Sequence, residues 1–208
     1  MNEPSAFQRL HPIIQEELYR MKWERLRPIQ EDAIHAILGG NKHLIISANT
    51  AGGKTEAAFL PVLSEIVEDH TSSVRALYVG PLKALINDQF RRLEELCEHA
   101  EIPVHKWHGD VGQSKKSRVL KSPGGVLLIT PESIESLFIN HPEKLDRLFS
   151  NLDYIVIDEM HAFLDTERGA HLRSLLARLI QRANHNVRII GLSATLGETA
   201  SAQKWVDG

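Results

Sequence analysis

The sequence holds a single cysteine, no long apolar run and no pronounced charge bias. With only Cys97 present, an internal disulfide is excluded, which fits a reducing compartment. Cys97 closes the pattern Phe90, Leu93, Leu96, Cys97, the spacing of a packed helix face, and reads as core. No apolar stretch approaches the ~20 residues of a membrane-spanning helix. The opening Met1-Asn2-Glu3-Pro4-Ser5 lacks the basic and then apolar pattern of a signal peptide, so a cytoplasmic location with no membrane partner is expected. Lys plus Arg number 24 against 27 Asp plus Glu, a net charge of −3, so bulk charge does not announce a polyanion partner. Local phosphate contacts stay open, because binding depends on where charges lie as well as on their sum. Internal repeats, low-complexity tracts and Gly/Ser linkers are also missing.

What remains is a 208-residue sequence with 42% hydrophobic and 25% charged residues, the balance of a globular protein with a core. Five continuous apolar runs punctuate it: 43–47, 74–80, 126–130, 154–157 and 187–192, with 104–107 a weaker sixth. Continuous runs, as opposed to alternating ones, predict strands buried on both faces. Helix-like segments occupy 29–38, 56–67, 82–99, 134–139 and 142–149. A further one starts near Asp165-Thr166 and places Leu172, Leu175, Leu176, Leu179 and Ile180 on one stripe. This alternation predicts an α/β fold with a mostly parallel sheet and helices on both faces. Residues 1–42 read as a helical preface to the body at 43–208, the two forming one domain.

Two features carry chemistry. Asp158-Glu159-Met160-His161 follows the apolar run Tyr154-Ile155-Val156-Ile157. Adjacent carboxylates at the end of a buried strand are costly unless a cation or a reacting water uses them, and strand ends are where α/β sheets bind ligands. Asp158 can hold Mg²⁺ while Glu159 deprotonates a water. Upstream, a strand leads into Ala48-Asn49-Thr50-Ala51-Gly52-Gly53-Lys54-Thr55 and then a helix, the phosphate loop G-x-x-x-x-G-K-[ST] with Ala48 at the first glycine. Small residues let successive N–H groups wrap a phosphate, Lys54 reaches the β- and γ-phosphates, and the Thr55 hydroxyl takes a place on Mg²⁺. The helix that follows turns its positive end to the same anion. The pair implies an ATP or GTP site.

With these motifs in place, the sequence resembles the first RecA-like domain of superfamily 2 helicases of the DExH type, with large-helicase-related (Lhr-like) and DEAD/DEAH-box enzymes nearest. The resemblance runs from about Leu10 to Leu196. Arg27-Pro28-Ile29-Gln30 resembles the second half of the Q motif, which implies that Gln30 reads adenine and makes the nucleotide ATP; the alternative for Gln30 is a surface residue on a capped helix. The loop from Ala48 to Thr55 resembles motif I, with Ala51 where the family has a glycine. Pro81-Leu82-Lys83-Ala84-Leu85 resembles motif Ia, Gly124-Gly125 the intervening glycine pair, and Thr130-Pro131-Glu132-Ser133 the Thr-Pro-Glu motif. In the family these loops grip the sugar-phosphate backbone of one DNA or RNA strand, which implies the same for Pro81, Leu82, Lys83, Gly124, Gly125, Thr130, Pro131 and Glu132. Trp107-His108-Gly109-Asp110 resembles a segment common in Lhr-like members; His105 and His108 are too few for a metal site and read as structural or surface residues. Asp158-Glu159-Met160-His161 is similar to motif II, and Ser193-Ala194-Thr195 to motif III. His161, Ser193 and Thr195 would couple the nucleotide to the strand-gripping side.

The resemblance implies a RecA-like P-loop three-layer sandwich that binds ATP and Mg²⁺ and hydrolyses ATP. Two rivals are weighed against it. A non-catalytic nucleotide-binding scaffold would have no use for Glu159, and a small-molecule kinase would have none for Gln30, Thr130-Pro131-Glu132 or Ser193. With the sequence stopping at Gly208, the expectation is that the second RecA-like domain and its arginine finger lie elsewhere. The segment alone should then bind nucleotide weakly and hydrolyse it slowly.

Overall fold

The computed structural model describes residues 4–49, 52–194 and 199–207. Six strands form one sheet: β1 (Leu44–Ser47), β2 (Ala76–Val79), β3 (Val104–Trp107), β4 (Val126–Ile129), β5 (Tyr154–Ile157) and β6 (Arg188–Ser193). Their order is β1-β6-β5-β2-β4-β3, and every pairing is parallel. The sheet is thus parallel throughout the described residues. Each of β2, β4 and β5 is buried along its whole length, as the unbroken apolar runs require.

The residue alternation of each strand sends its two faces into two different cores. Ala76 and Tyr78 of β2, with Tyr154 and Val156 of β5, face a core built with α1 (Ala6–Arg9), α2 (Pro12–Arg20), α3 (Pro28–Leu38), α4 (Lys54–Ile66) and α5 (Lys83–Cys97). Leu77 and Val79, with Ile155 and Ile157, face a core shared with α6 (Gln113–Lys121), α7 (Pro131–Asn140), α8 (Leu145–Phe149), α9 (Glu167–Ile180) and α10 (Thr199–Asp207). The result is the expected three-layer α/β sandwich. The N-terminal helices join the first core directly: Leu10, Ile14, Leu18, Ile34 and Ile37 pack with Phe59, Leu60 and Leu63 of α4. The His11 amide donates to Ser64 Oγ at 3.1 Å.

Differences from the sequence expectation have local causes. The run at 74–80 contributes only Ala76–Val79 to the ladder, because the Val74 amide bonds Leu148 O and Arg75 turns to Gly125 O. The helix expected over 142–149 divides into a 3₁₀ turn, Pro142–Lys144, and α8. Helix α4 starts at Lys54, two residues before the expected 56, so Lys54 and Thr55 sit inside its first turn. Helices α6 and α10 were not expected; α6 buries Val119 alone and so carries no readable apolar stripe.

Candidate functional site

Because the strands are all parallel, their C-terminal ends share one rim, and the loops that leave it carry the candidate residues. A cleft of about 630 Å³ opens there, lined by Trp23, Arg27 and Gln30, by Gly52–Thr55, by Leu85, Gln89 and Arg92 of α5, and by Asp158 and Glu159. Thr50 and Ala51 of the phosphate loop, and Thr195 downstream, lie outside the described residues. Gln30 is only 1% exposed, which rules out the surface alternative. Its Oε1 accepts from the Arg27 amide at 2.9 Å, the reach-back bond of a helix N-terminus. Its Nε2 rests on Gly53, whose φ is +80°; a Cβ there would stand 2.7 Å from that nitrogen, so glycine alone suits the position.

The buried Lys54 donates from Nζ to the carbonyls of Ala48 at 2.8 Å and Asn49 at 3.3 Å, so its ammonium is held over the loop by the loop's own backbone. Thr55 is buried beside it. The loop is tied to β6 as well, since the Ala48 amide donates to Ser193 O at 3.3 Å and Ser47 is in register with the fully buried Ser193.

Asp158 is 4% exposed at the end of β5. Its Oδ2 accepts from the Tyr78 hydroxyl at 2.5 Å and its Oδ1 from the Glu159 amide at 2.8 Å. Burial pushes the Asp158 carboxyl above the usual carboxylate range, with the charge of Glu159 adding to it; the Tyr78 and Glu159 hydrogen bonds and Lys54 pull the other way. Burial first, and Asp158 second, drive the Tyr78 phenol far upward, so its hydroxyl stays a donor. The sequence reading missed Tyr78. A signal was present, since a tyrosine inside a strand buried on both faces needs a partner for its hydroxyl. Glu159 has a left-handed backbone, φ +49°, a conformation that stores about 1–3 kcal/mol of strain in a residue with a Cβ. Its Oε2 lies 3.2 Å from His161 Nδ1, so the histidine given a coupling role has Glu159 beside it.

The donors around this cleft suit a hard cation. Among the described residues no group of three or more His, Cys, Asp or Glu side chains is placed to hold a metal. His108 is buried with Nε2 3.2 Å from Asn87 Oδ1, which makes it structural. A Thr55 hydroxyl and an Asp158 carboxylate in one cleft match Mg²⁺, which takes one or two protein oxygens and completes its octahedron with phosphate and water.

The other half of the rim carries the loops after β2, β3 and β4. Pro81, Leu82 and Lys83 border a depression of about 710 Å³ with Trp107, Gly109, Lys116, Thr130, Glu132 and Ser133. Leu82 is 63% exposed. Lys83 Nζ donates to Asp110 Oδ1 at 2.8 Å, and the buried Thr130 hydroxyl donates to Ser133 Oγ at 3.0 Å, so both groups have partners within the chain. Arg168 of α9 braces two of the loops, with Nε on Glu132 Oε1 at 2.7 Å and Nη2 on Pro81 O at 2.8 Å. Burial alone would raise the Glu132 carboxyl, but the Arg168 bond and charge hold it below its usual range.

Gly124 and Gly125 need correction. They precede β4, so they lie at the opposite end of the sheet from Thr130; the Arg75 and Ala76 amides bond Gly125 O, and a Cβ on Gly125 would strike Pro103 O. A strand of four residues is about 13 Å long, which removes both glycines from the rim that carries Thr130. Gly109, beside Lys83 Nζ, occupies the place they were given.

The comparisons with known proteins agree with this geometry. The family model for DEAD/DEAH box helicases matches residues 27–202. The ATP-dependent helicase Lhr-Core of Methanocaldococcus jannaschii is 35% identical over 209 residues, covering 92% of this chain and 24% of its own length. The chain spans about a quarter of the length of the curated relatives it matches. Among solved structures, Mycobacterium smegmatis helicase Lhr bound to ssDNA and AMP-PNP superposes with a TM-score of 0.84 at 29% identity, over 96% of this chain and 26% of that one. The DUF1998 helicase MrfA bound to DNA gives a TM-score of 0.83 at 28% identity, over 99% of this chain and 29% of that one. The chain belongs to the DEAD/DEAH box helicase family.

Proposed function

We propose that this chain is the first RecA-like part of an ATP-driven nucleic-acid motor, with ATP and Mg²⁺ in the cleft and the phosphates of one strand along the rim over β2, β4 and β3. The observation that carries the reading is convergence: Gln30, Gly52–Thr55 and Asp158-Glu159 come from three distant segments and line one cleft. Gln30 pairs with the adenine edge. The backbone of Asn49, Thr50, Ala51, Gly52 and Gly53 wraps the phosphates, and Lys54 leaves its two carbonyls for the β- and γ-phosphates. Mg²⁺, held by Thr55 and Asp158, supplies charge neutralisation at the phosphoryl oxygens. Glu159 takes a proton from water as its oxygen bonds to the γ-phosphorus. The bond from that phosphorus to the β,γ-bridging oxygen breaks, and ADP leaves with the electron pair. His161, Ser193 and Thr195 relay the nucleotide state toward the rim.

At the rim, Pro81, Leu82, Lys83, Thr130, Pro131 and Glu132 hold the strand backbone by loop amides, a helix N-terminus and the Lys83 charge. Residues 1–42 act as a helical preface carrying the adenine contact and 43–208 as the motor body. A second RecA-like domain of a longer chain completes the site with an arginine. Among the described residues no helix is long and apolar enough to cross a membrane, and a cytoplasmic location belongs to the same reading.

Fluorescent-nucleotide titration tests the cleft, and anisotropy of labelled single strands tests the rim. DNA is the first ligand to try, because the Lhr and MrfA structures hold it, with RNA in parallel. Lys54→Ala should abolish nucleotide binding and leave strand binding in place. Nucleotide binding unchanged in Lys54→Ala would sink the assignment.

A further inference from the structure

Two residues that line the nucleotide cleft each carry a buried acceptor atom with no hydrogen-bond partner: Gln89 Oε1 and Glu56 Oε2. Gln89 is 5% exposed and sits on the face of α5 that also presents Leu85 and Arg92 to the cleft, the i, i+4, i+7 spacing of one helix stripe. Glu56 follows Thr55 in the first turn of α4 and gives its other oxygen to Arg92. The roles argued above use neither residue.

A buried acceptor without a donor is destabilising, so the chemistry that completes the cleft must bring donors. The neighbouring cations do not provide them to these atoms, since Lys54 is bonded to Ala48 and Asn49 and Arg92 reaches the opposite oxygen of Glu56. Phosphoryl oxygens do not provide them either, being acceptors themselves. Water bound to a divalent cation does: its lone pair is turned to the metal and both of its hydrogens point outward. Mg²⁺ gives up its waters reluctantly and keeps several of them in such sites. Two orphan acceptors, on the helices that flank the cleft of Thr55 and Asp158, match the outer surface of a hydrated Mg²⁺.

We propose that Gln89 Oε1 and Glu56 Oε2 accept hydrogen bonds from Mg²⁺-bound waters and so set the divalent-cation affinity of this cleft. The proposal rests on the ATP·Mg²⁺ reading given above. Groups that hold a metal's shell from outside typically change metal affinity 10–100-fold when removed, through the waters or ligands they orient. Gln89 is the cleaner of the two to test, because it carries no charge and pairs with no arginine.

The test is binding of a fluorescent ADP analogue, titrated with Mg²⁺ and repeated in EDTA, for the wild type, Gln89→Leu, Gln89→Glu and Asp158→Asn. Gln89→Leu should raise the half-saturating Mg²⁺ concentration by about tenfold and leave the affinity in EDTA unchanged, which also shows that the variant folds. Gln89→Glu keeps an acceptor at both terminal positions and should bring Mg²⁺ demand back to the wild-type value or below it. Equal Mg²⁺ dependence in Gln89→Leu and wild type, with Asp158→Asn impaired, would overturn the role of Gln89 and leave the ATP·Mg²⁺ reading standing. Equal weakening of Gln89→Leu in Mg²⁺ and in EDTA would also overturn it, by placing Gln89 on the nucleotide. A wild type whose nucleotide affinity ignores Mg²⁺ would sink both.

Discussion

Over β1, β6 and β5 the side chains of Lys54, Asp158 and Gln30 are buried and bonded to their own chain, with the Glu159–His161 pair half-exposed beside them, whereas over β2, β4 and β3 several groups stand partly in solvent as ion pairs. Lys54 holds two carbonyls, Asp158 takes a hydroxyl and an amide, and Gln30 caps its own helix. Lys83 and Glu132, by contrast, are paired with Asp110 and Arg168 at half-exposed positions. The first arrangement fixes geometry before any ligand arrives, as phosphoryl transfer demands. The second leaves charges at the surface, which suits the proposed backbone contacts because such contacts read no sequence. Changes in the first half should therefore be large and confined to nucleotide chemistry, and those in the second small and salt-sensitive.

The largest effect that would sharpen this contrast lies in hydrolysis. In the longer protein, Glu159→Gln should lower ATP turnover by about 10²–10⁴ with nucleotide binding kept, because only the base is lost. The 208-residue segment alone should turn over about 10³–10⁵ more slowly than a chain that carries the proposed second RecA-like domain, the worth of its arginine. Steady-state phosphate release measures both, and brisk turnover by the isolated segment would break the comparison. Next comes Tyr78→Phe, which removes one donor from a buried carboxylate; denaturant unfolding should show a loss of about 1–3 kcal/mol. At the rim, Arg168→Gln should weaken single-strand binding by only about 0.2–1 kcal/mol, less at high salt, with nucleotide binding untouched. An effect of Arg168→Gln as large as that of Tyr78→Phe would erase the distinction between the two halves.

The smallest expected effect lies away from both sites. Burial, and then Arg118, hold the His105 imidazole below its ordinary pKa of 6.5. The unfolded chain therefore takes up the proton first, so this contribution to stability is present above pH ~6.5 and is lost as the pH falls through that value. His105→Phe should flatten the dependence of unfolding free energy on pH between 7 and 5, and a slope equal to wild type would refute the assignment.

What could be read in advance follows the range of the interactions. Gln30, Lys54, Thr55, Asp158 and Glu159 belong to short motifs whose spacing is itself the chemistry, and the five strong apolar runs gave five strands. Tyr78 and Arg168 act on partners roughly 80 residues away; the buried strand signals that the Tyr78 hydroxyl needs a partner, but no local pattern names which residue it is. The glycine pair misled for a related reason: Gly124-Gly125 advertises a tight backbone, but nothing in the dipeptide says which end of a strand it will occupy. Helix α6, with one buried residue, lacks the stripe by which helices are recognised. The αL backbone of Glu159 was likewise invisible, since nothing in the residue type marks it.

Strand β2 has a mechanical consequence. Its C-terminal end runs into the Pro81 loop at the rim, while Tyr78, three residues earlier, fastens it sideways to Asp158 just beyond the neighbouring strand β5. Hydroxyl-to-carboxylate bonds tolerate a few tenths of an ångström, whereas one residue of strand measures about 3.3 Å. A shift of β2 by a fraction of its own repeat would therefore break the bond to the Asp158 carboxylate, so the two parallel ladders that clamp β2 between β4 and β5 also keep that carboxylate in place.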